Sequence, residues 1–412
     1  MNGNENSFFD LVLRGGRVID PVNGIVETMD VAIRDHKICA VGKNLPCENA
    51  GKTIDVNGCV VTPGLIDMHS HILQSLPLSA DGLAAIDPDA HMFQSGVTTA
   101  VDAGTSGSRD FLRLKEDIID HSQVRILAFV NIASGGMVNM ASEQETGCFH
   151  PKIVAAIAES FPDVVVGVKT AHYWVGKPFD EAHPAWASVD SALRAGELCA
   201  RPVMVDFQPT LPGRSYPDLL NRLRPGDIHT HMYAQQFPVL DENGAVCKEL
   251  FQARERGVLF DLGHGTGSFW FRNAVPACRQ GFSPDTLSTD LYMNNSAGPV
   301  INLLHVMSKF LNIGMPLDEV IGCVTQRPAR NLHHDELGTL SIGACADVAV
   351  LRQINVPCGF ADSGNARLNG STKLECMMTI RNGKIVFDPN AMSMPEWESA
   401  PPSYWTAPGI IR

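Results

Sequence analysis

Side chains with acid–base or metal-binding chemistry end a series of short apolar runs in this sequence: His69, His71, Lys169, Asp206, His231, His264 and Asp290. The first pair lies in "VVTPGLIDMHSHI", residues 60–72, where one residue separates His69 from His71. Side chains two apart on a strand project from the same face. Two imidazoles so placed begin a chelate for zinc or a similar borderline cation, whose bonds to imidazole nitrogen are about 2.0–2.1 Å long. An isolated pair of this kind can instead divide its roles, with one histidine capping the strand and the other facing solvent. Asp67 just upstream, and the residues that end the other runs, favour the chelate.

Lys169 closes "DVVVGVKT", where an unpaired ammonium at the end of a buried strand is costly. Asp206 or Asp290 could pair with it, or it could reach to the rim. The alternative is chemical: the neutral amine takes up carbon dioxide to give a carbamate, an anion able to bridge two cations. His231 in "GDIHTHMY" offers a further nitrogen ligand. His229, on the same face but roughly 6.6 Å deeper, reads as a core histidine. Asp290 ends "DTLSTDLY", where a carboxylate can touch a cation and serve as the general base that later protonates the leaving group. A plain helix cap is the other reading. His264 sits in the glycine-rich "FDLGHGTGSF", where backbone can approach a ligand closely. It reads as a substrate contact or oxyanion stabiliser, against an ordinary loop histidine.

These groups need a scaffold that brings distant strand ends together. The strand candidates are "VVTPGLIDMH", "GVTTAVDAG", "VRILAFVNIA", "DVVVGVKT", "RPVMVDF", "GDIHTH", "GVLFDLGH" and "DTLSTDL", with amphipathic helical patterns such as "PKIVAAIAESF" and "WASVDSALRAGELCA" between them. Eight such repeats predict an α/β fold, a (β/α)8 TIM barrel whose strands are buried on both faces and whose chemistry gathers at their C-terminal ends. A doubly wound open sheet is the rival, but no glycine-rich phosphate loop opens the first crossover. Both ends of the chain are β-rich instead, and "RNGK" carries an Asn-Gly pair suited to a hairpin turn. We therefore expect a small β-sandwich built from both termini, with residues 1–61 and 337–412 flanking a barrel over 62–336. The Pro-rich stretch after Met394 reads as an extended tail.

Composition excludes several other functions. A net charge of −13 and the lack of any Lys/Arg-rich block argue against a nucleic-acid partner. No apolar run reaches the ~18 residues of a membrane span, and "MNGNENSFFDLVLRGG" has no features of a secretory leader. Eleven scattered cysteines without a C-x-x-C pair suggest reduced thiols in a cytoplasmic protein.

The chain resembles the amidohydrolase superfamily of metal-dependent hydrolases over nearly its whole length. "GGRVIDPVNGIVETMDVAIRDHKICAVG" looks like that family's N-terminal sheet segment, "PGLIDMHSH" like its first metal strand, and "TQRPARNLHHDELGTLSIGACADVAVL" like the return from barrel to sheet. "GDIHTHMY", "FDLGHGTGSF" and "DTLSTDLY" bring it nearest to the deacetylase and dihydroorotase-like enzymes. The resemblance implies a binuclear centre of divalent ions, often zinc. His69 and His71 would bind the more buried ion, Lys169 would bridge as N6-carboxylysine, His231 would bind the second ion, and Asp290 would be both ligand and base. At the fifth strand end the family usually offers a histidine, whereas "PVMVDF" offers Asp206. A carboxylate there favours oxygen-preferring ions such as manganese. It could instead pair with Lys169 and leave a single metal.

Substrate recognition falls to the loops after the strands, including "AHYWVGKP" with Tyr173, the turn around His264, and "QPTLPGRSYPD", whose Arg214 and Tyr216 could hold a substrate carboxylate, against an ordinary surface-loop arginine. The expected activity is hydrolysis of an amide or ester in a small carboxylate-bearing molecule: an N-acyl amino acid, a cyclic imide or ureide, or an acylated hydroxy acid. A homo-oligomer is expected. The rival from another class is a dihydropyrimidinase-like assembly protein that has lost catalysis. Such relatives typically lose several ligands, and only one is altered here. A ring-amidine deaminase is the rival within the enzymes, and Lys169 argues against it, since those enzymes usually lack that lysine.

Overall fold

The terminal β-rich segments and the middle of the chain form two separate sheets. A computed structural model describes residues 8–73, 84–206 and 213–402. Five strands come from the N-terminal region: β1 (Phe9–Asp20), β2 (Ile25–Arg34), β3 (Lys37–Gly42), β4 (Ala50–Asp55) and β5 (Val60–Pro63). Seven follow in the middle of the chain: β6 (Leu65–Ser70), β7 (Val97–Gly107), β8 (Arg125–Asn131), β9 (Val165–Thr170), β10 (Val203–Val205), β11 (Ile228–His229) and β12 (Leu259–Phe260). The last three are β13 (Val348–Ala361), β14 (Arg367–Arg381) and β15 (Lys384–Phe387).

The terminal strands join as one eight-stranded sheet in the order β15-β14-β13-β5-β1-β2-β3, with β4 also paired to β1. Both chain ends contribute, as the alternating pattern predicts, but hydrogen bonding links them in one sheet rather than in two facing ones. Its apolar face buries Leu13, Val18, Val31, Ile33, Val348, Val350, Met378 and Ile380 together. The Asn382-Gly383 pair lies at the turn between β14 and β15, with both residues at positive φ.

"VVTPGLIDMH" is divided between the two sheets. Val60–Val61 pair with β1 and the whole of β5 pairs with β13, whereas β6 runs beside β7. Gly64 marks the switch, because a Cβ there would stand 2.2 Å from the Thr98 hydroxyl oxygen. The chain therefore passes from one sheet to the other at Gly64.

β6 to β12 form a parallel sheet in consecutive order. One apolar cluster takes residues from all seven strands, among them Met68, Val101, Phe129, Val166, Met204 and Ile228 with partly buried Leu259. That is what a sheet curled around its own core requires. The predicted eighth run, 285–291, is not a regular strand, yet it joins the two edges through parallel bridges from Asp261 to Thr286 and from Ser70 to Leu291. Asp290 has φ 51°, which a regular strand does not tolerate. Helices cover the outside; Ala187–Cys199 buries Val189, Ala192, Ala195 and Gly196, an i, i+3, i+6, i+7 stripe. Among the described residues no helix is long and apolar enough to cross a membrane.

Candidate metal centre

β6 carries Asp67 and His69 on one face, with His71 just past its end, and all three are buried. The Asp67 carboxylate accepts hydrogen bonds from the Thr289 hydroxyl at 2.5 Å and the Thr289 amide at 3.1 Å. Burial lifts its pKa to about 7. The Asp290 amide donates to the His69 carbonyl at 2.7 Å, and Asn295 Nδ2 donates to the Asp290 carbonyl at 2.7 Å. The irregular eighth run is thus fastened to β6 and the residue after it at Thr289, Asp290 and Leu291, whose carbonyl accepts from the His71 amide at 3.0 Å. The left-handed backbone at Asp290 re-aims its carboxylate.

The hydrogen bonds also decide which nitrogen of each imidazole faces the centre. Thr230 donates its hydroxyl hydrogen to Asp261 at 2.7 Å, which leaves its oxygen free to accept from His69 Nδ1 at 2.9 Å. His231 Nδ1 lies 2.6 Å from the Gly263 carbonyl, which can only accept. His69 therefore carries its proton on Nδ1 and keeps its Nε2 lone pair for a ligand, whereas His231 has Nε2 3.1 Å from Asp206 Oδ2. Burial works to lower the His231 pKa, but that carboxylate outweighs it and raises the pKa, so a cation must displace the Nε2 proton before His231 can ligate. His71 Nδ1 lies 2.9 Å from the Thr105 hydroxyl, which also turns Nε2 toward the centre. Burial, followed by the nearby Lys169, pushes His69 well below the usual histidine range, so it is neutral and able to ligate.

His71 Nε2 and His69 Nε2 approach the same oxygen, Asp290 Oδ1, at 2.8 and 3.5 Å. One ligand atom from each of His69, His71 and Asp290 falls within 4.8 Å of the others. Lys169 Nζ reaches His69 Nε2 at 3.3 Å and Met204 Sδ at 3.7 Å. Among the described residues no carboxylate oxygen lies within 4.0 Å of that amine, although the residue is fully buried. Gly104, at φ 80°, makes room for the lysine stem; a Cβ there would be 2.5 Å from Lys169 Cβ and Cγ. On the far side His231 Nε2 meets Asp206 Oδ2 at 3.1 Å, and the His231 ring packs 5.1 Å from that of His69. Burial works to raise the Asp206 pKa, but His231, with Lys169 and His172 beyond it, holds the carboxyl well below its usual range. Lone pairs and carboxylate oxygens from four strand ends converge on a site containing one stranded amine, a donor set that suits divalent cations.

The other expected contacts, His264, Tyr216, Arg214 and Tyr173, each have protein partners. His264 is fully buried; its Nδ1 is 2.9 Å from the Gly265 carbonyl and its Nε2 2.6 Å from Lys309 Nζ. Tyr216 opens the helix Tyr216–Arg222, and its hydroxyl lies 2.9 Å from His229 Nε2 in the core. Burial and the adjacent His231 push His229 down to about 3, so it stays neutral. Arg214 is buried, donating to the Tyr173 carbonyl at 3.1 Å and lying over the Phe179 ring, while Tyr173 packs its ring edge against Phe149. Four residues with supporting contacts were not singled out by the sequence: Thr105, Thr230, Asp261 and His172. Thr230 had a signal, since it stands between two histidines in "HTH".

No family model matches the chain. A deacetylase of Enterococcus faecalis is 29% identical over 381 residues, which cover 92% of this chain and 99% of that protein. A deacetylase of Agrobacterium fabrum is 31% identical over 343 residues, 80% of this chain and 79% of the relative. Two crystal structures superpose closely: one described as an adenine deaminase, with TM-score 0.83, 28% identity and coverage of 92% of this chain and 100% of that one, and one described as a dihydroorotase, with TM-score 0.77, 26% identity and coverage of 92% and 99%. The chain belongs to the amidohydrolase superfamily, in its deacetylase and dihydroorotase-like branch, and is a hydrolase.

Proposed function

We propose that this protein hydrolyses an amide or ester bond in a small carboxylate-bearing substrate, using one or two divalent cations held by His69, His71, Lys169, Asp206, His231 and Asp290. The observation that supports it most is the tautomer set, in which His69 and His231 both spend their Nδ1 protons on fixed acceptors and point Nε2 inward. Lys169 acts as its carbamate in this reading. A buried ammonium with no carboxylate within reach is poorly placed, whereas a carbamate beside two cations is not. A bound divalent cation would polarise the substrate carbonyl and lower the pKa of a coordinated water from about 15.7 to about 7.

The chain's own residues do the rest. His69 and His71 would hold one cation, and His231 and Asp206 would hold a second. Asp290, at the rim with 11% of its side chain exposed, takes the proton of the attacking water and returns it to the departing nitrogen or oxygen. N-acyl amino acids, cyclic imides or ureides and acylated hydroxy acids all present such a bond, and the names of the deacetylase relatives favour an acyl group. The same reading has the protein working in the cytoplasm as a homo-oligomer, and its eleven cysteines are all free thiols.

The test is metal analysis of protein purified without chelator, joined to a screen of those three substrate classes with adenine included. We expect at least about one equivalent of zinc or manganese, and hydrolysis that a chelator abolishes. Less than about half an equivalent after growth with added metal, with no turnover, would leave a non-catalytic assembly protein. Ammonia release from adenine would move the chain to the deaminases.

A further inference from the structure

His172 follows Lys169 by three residues, just beyond the end of β9, and is not among the residues proposed to hold a cation. Its ring is fixed from one side. Nδ1 lies 2.9 Å from Glu143 Oε2, and the other carboxylate oxygen of Glu143 accepts from Asn131 Nδ2 at 2.8 Å. Glu143 is buried, with 3% of its side chain exposed, so its charge is held in a poorly solvated place and must be matched locally. The backbone is tied to the same segment, because Gln144 Nε2 donates to the His172 carbonyl at 2.5 Å. Asn131 ends β8 and Lys169 lies in the neighbouring β9, so the anchor and the metal centre share two adjacent strands.

That arrangement leaves the opposite ring edge available. The His172 side chain is 27% exposed, and among the described residues Nε2 has no protein partner. His172 stands two residues past the C-terminal end of β9, the end of the parallel sheet at which His71, Lys169, Asp206 and His231 also lie. Burial disfavours the charged ring, but Glu143 outweighs it and raises the pKa to about 9. The result is a fixed N–H donor carrying positive charge, with its carboxylate partner behind it and its free edge at the rim. A dedicated buried glutamate is more than a rim histidine needs for solubility, and it is what a histidine needs to stay charged and oriented for an anion.

We propose that His172, oriented by Glu143, is a substrate-binding residue whose Nε2–H receives the carboxylate of the substrate. This rests on the hydrolase reading above and narrows it to anionic substrates over their neutral analogues. Of the residues the sequence offered for that task, Arg214 donates to the Tyr173 carbonyl at 3.1 Å and Tyr216 has its hydroxyl 2.9 Å from His229 Nε2.

The experiment compares wild type, His172→Gln and Glu143→Gln, each metal-loaded and of matched metal content, on an N-acyl amino acid and its neutral primary amide. For His172→Gln we expect KM for the acid to rise at least tenfold, with kcat within threefold and KM for the amide unchanged. Glu143→Gln should give the same split more weakly. Equal losses on acid and amide, or a fall in kcat alone, would overturn the assignment. A second measurement needs no turnover: calorimetric titration with benzoate as a carboxylate probe should give a Kd at least tenfold weaker in His172→Gln. Equal affinities would sink the proposal even in an active enzyme. Tenfold weakening in a protein that hydrolyses nothing would keep His172 as an anion site while removing the hydrolase reading.

Discussion

Replacing Gly265 with alanine tests whether Asp290 must stand where it does. Gly265 has φ 54°, and a Cβ built on it would lie 2.4 Å from Asp290 Oδ2 and 3.4 Å from Ser268 Oγ. A left-handed backbone costs an ordinary L-residue about 1–2 kcal/mol, so stability should fall by about that much. The contact has a separate effect. Restoring an ordinary separation requires Oδ2 to retreat by about 1 Å, a displacement that can cost about 100-fold in rate at a reacting group. The carboxylate cannot simply turn aside, because Oδ1 is 2.8 Å from His71 Nε2 and the backbone is held at both its amide and its carbonyl. We therefore expect Gly265→Ala to keep its fold, with a melting temperature a few degrees lower, and to lose about 100-fold in kcat. Gly267 in the same loop is the control, since a Cβ there meets nothing within 4 Å and its φ is not positive. Gly267→Ala should behave as wild type. If Gly265→Ala retains kcat within threefold while losing the expected stability, the position of Asp290 is not critical and its role as proton carrier fails.

Four further substitutions probe other parts of the centre. Lys169→Ala should lose bound metal or at least about 1000-fold in turnover, and full activity would refute the bridging role. Asp290→Asn should fold and bind metal yet lose about 100- to 10,000-fold in kcat, and a near-normal kcat would remove it from the mechanism. Thr230→Val takes away the acceptor of the His69 Nδ1 proton, so metal affinity measured by chelator competition should drop about 10- to 100-fold; unchanged affinity would show that the tautomer is held some other way. Tyr216→Phe removes the hydroxyl beside buried His229 and should cost about 1–3 kcal/mol of stability with kcat/KM within threefold. A large rise in KM there would instead make Tyr216 a substrate contact.

Strand-end chemistry was the most legible part of the sequence because it depends on short periodicities. His69 and His71 share a face through simple alternation, and Asp290 closes the last apolar run. Partners contributed by side chains of common type were not legible. Thr105, Thr230 and Asp261 become supports only when strands far apart in sequence become neighbours, and a threonine in a strand is unremarkable in itself. His264 looked accessible in its glycine-rich bend, but the helix Leu303–Ile313 brings Lys309 to it, a contact across 45 residues. The eighth run failed as a strand for a related reason: the apolar pattern was right, but the left-handed backbone at Asp290 is set by fastening to Asp67 and His69, which no local pattern records.

Asp206 shows how far distances can separate readings that residue types leave open. As the partner of Lys169 it would have to approach the amine, and no carboxylate oxygen does so within 4.0 Å among the described residues. It meets His231 Nε2 at 3.1 Å instead, on the atom that His231 would offer to a second cation. Two like-facing donors at that spacing suit ligation, since a cation between them would replace the proton that now reconciles an imidazole with a carboxylate. Histidine at this position would contribute no charge, whereas Asp206 contributes one negative charge, which favours a harder ion there and weakens its Lewis acidity. Asp206→His should therefore shift the second position toward zinc in a competition between zinc and manganese, read by metal analysis. An unchanged preference would mean that Asp206 stays with His231 and does not ligate.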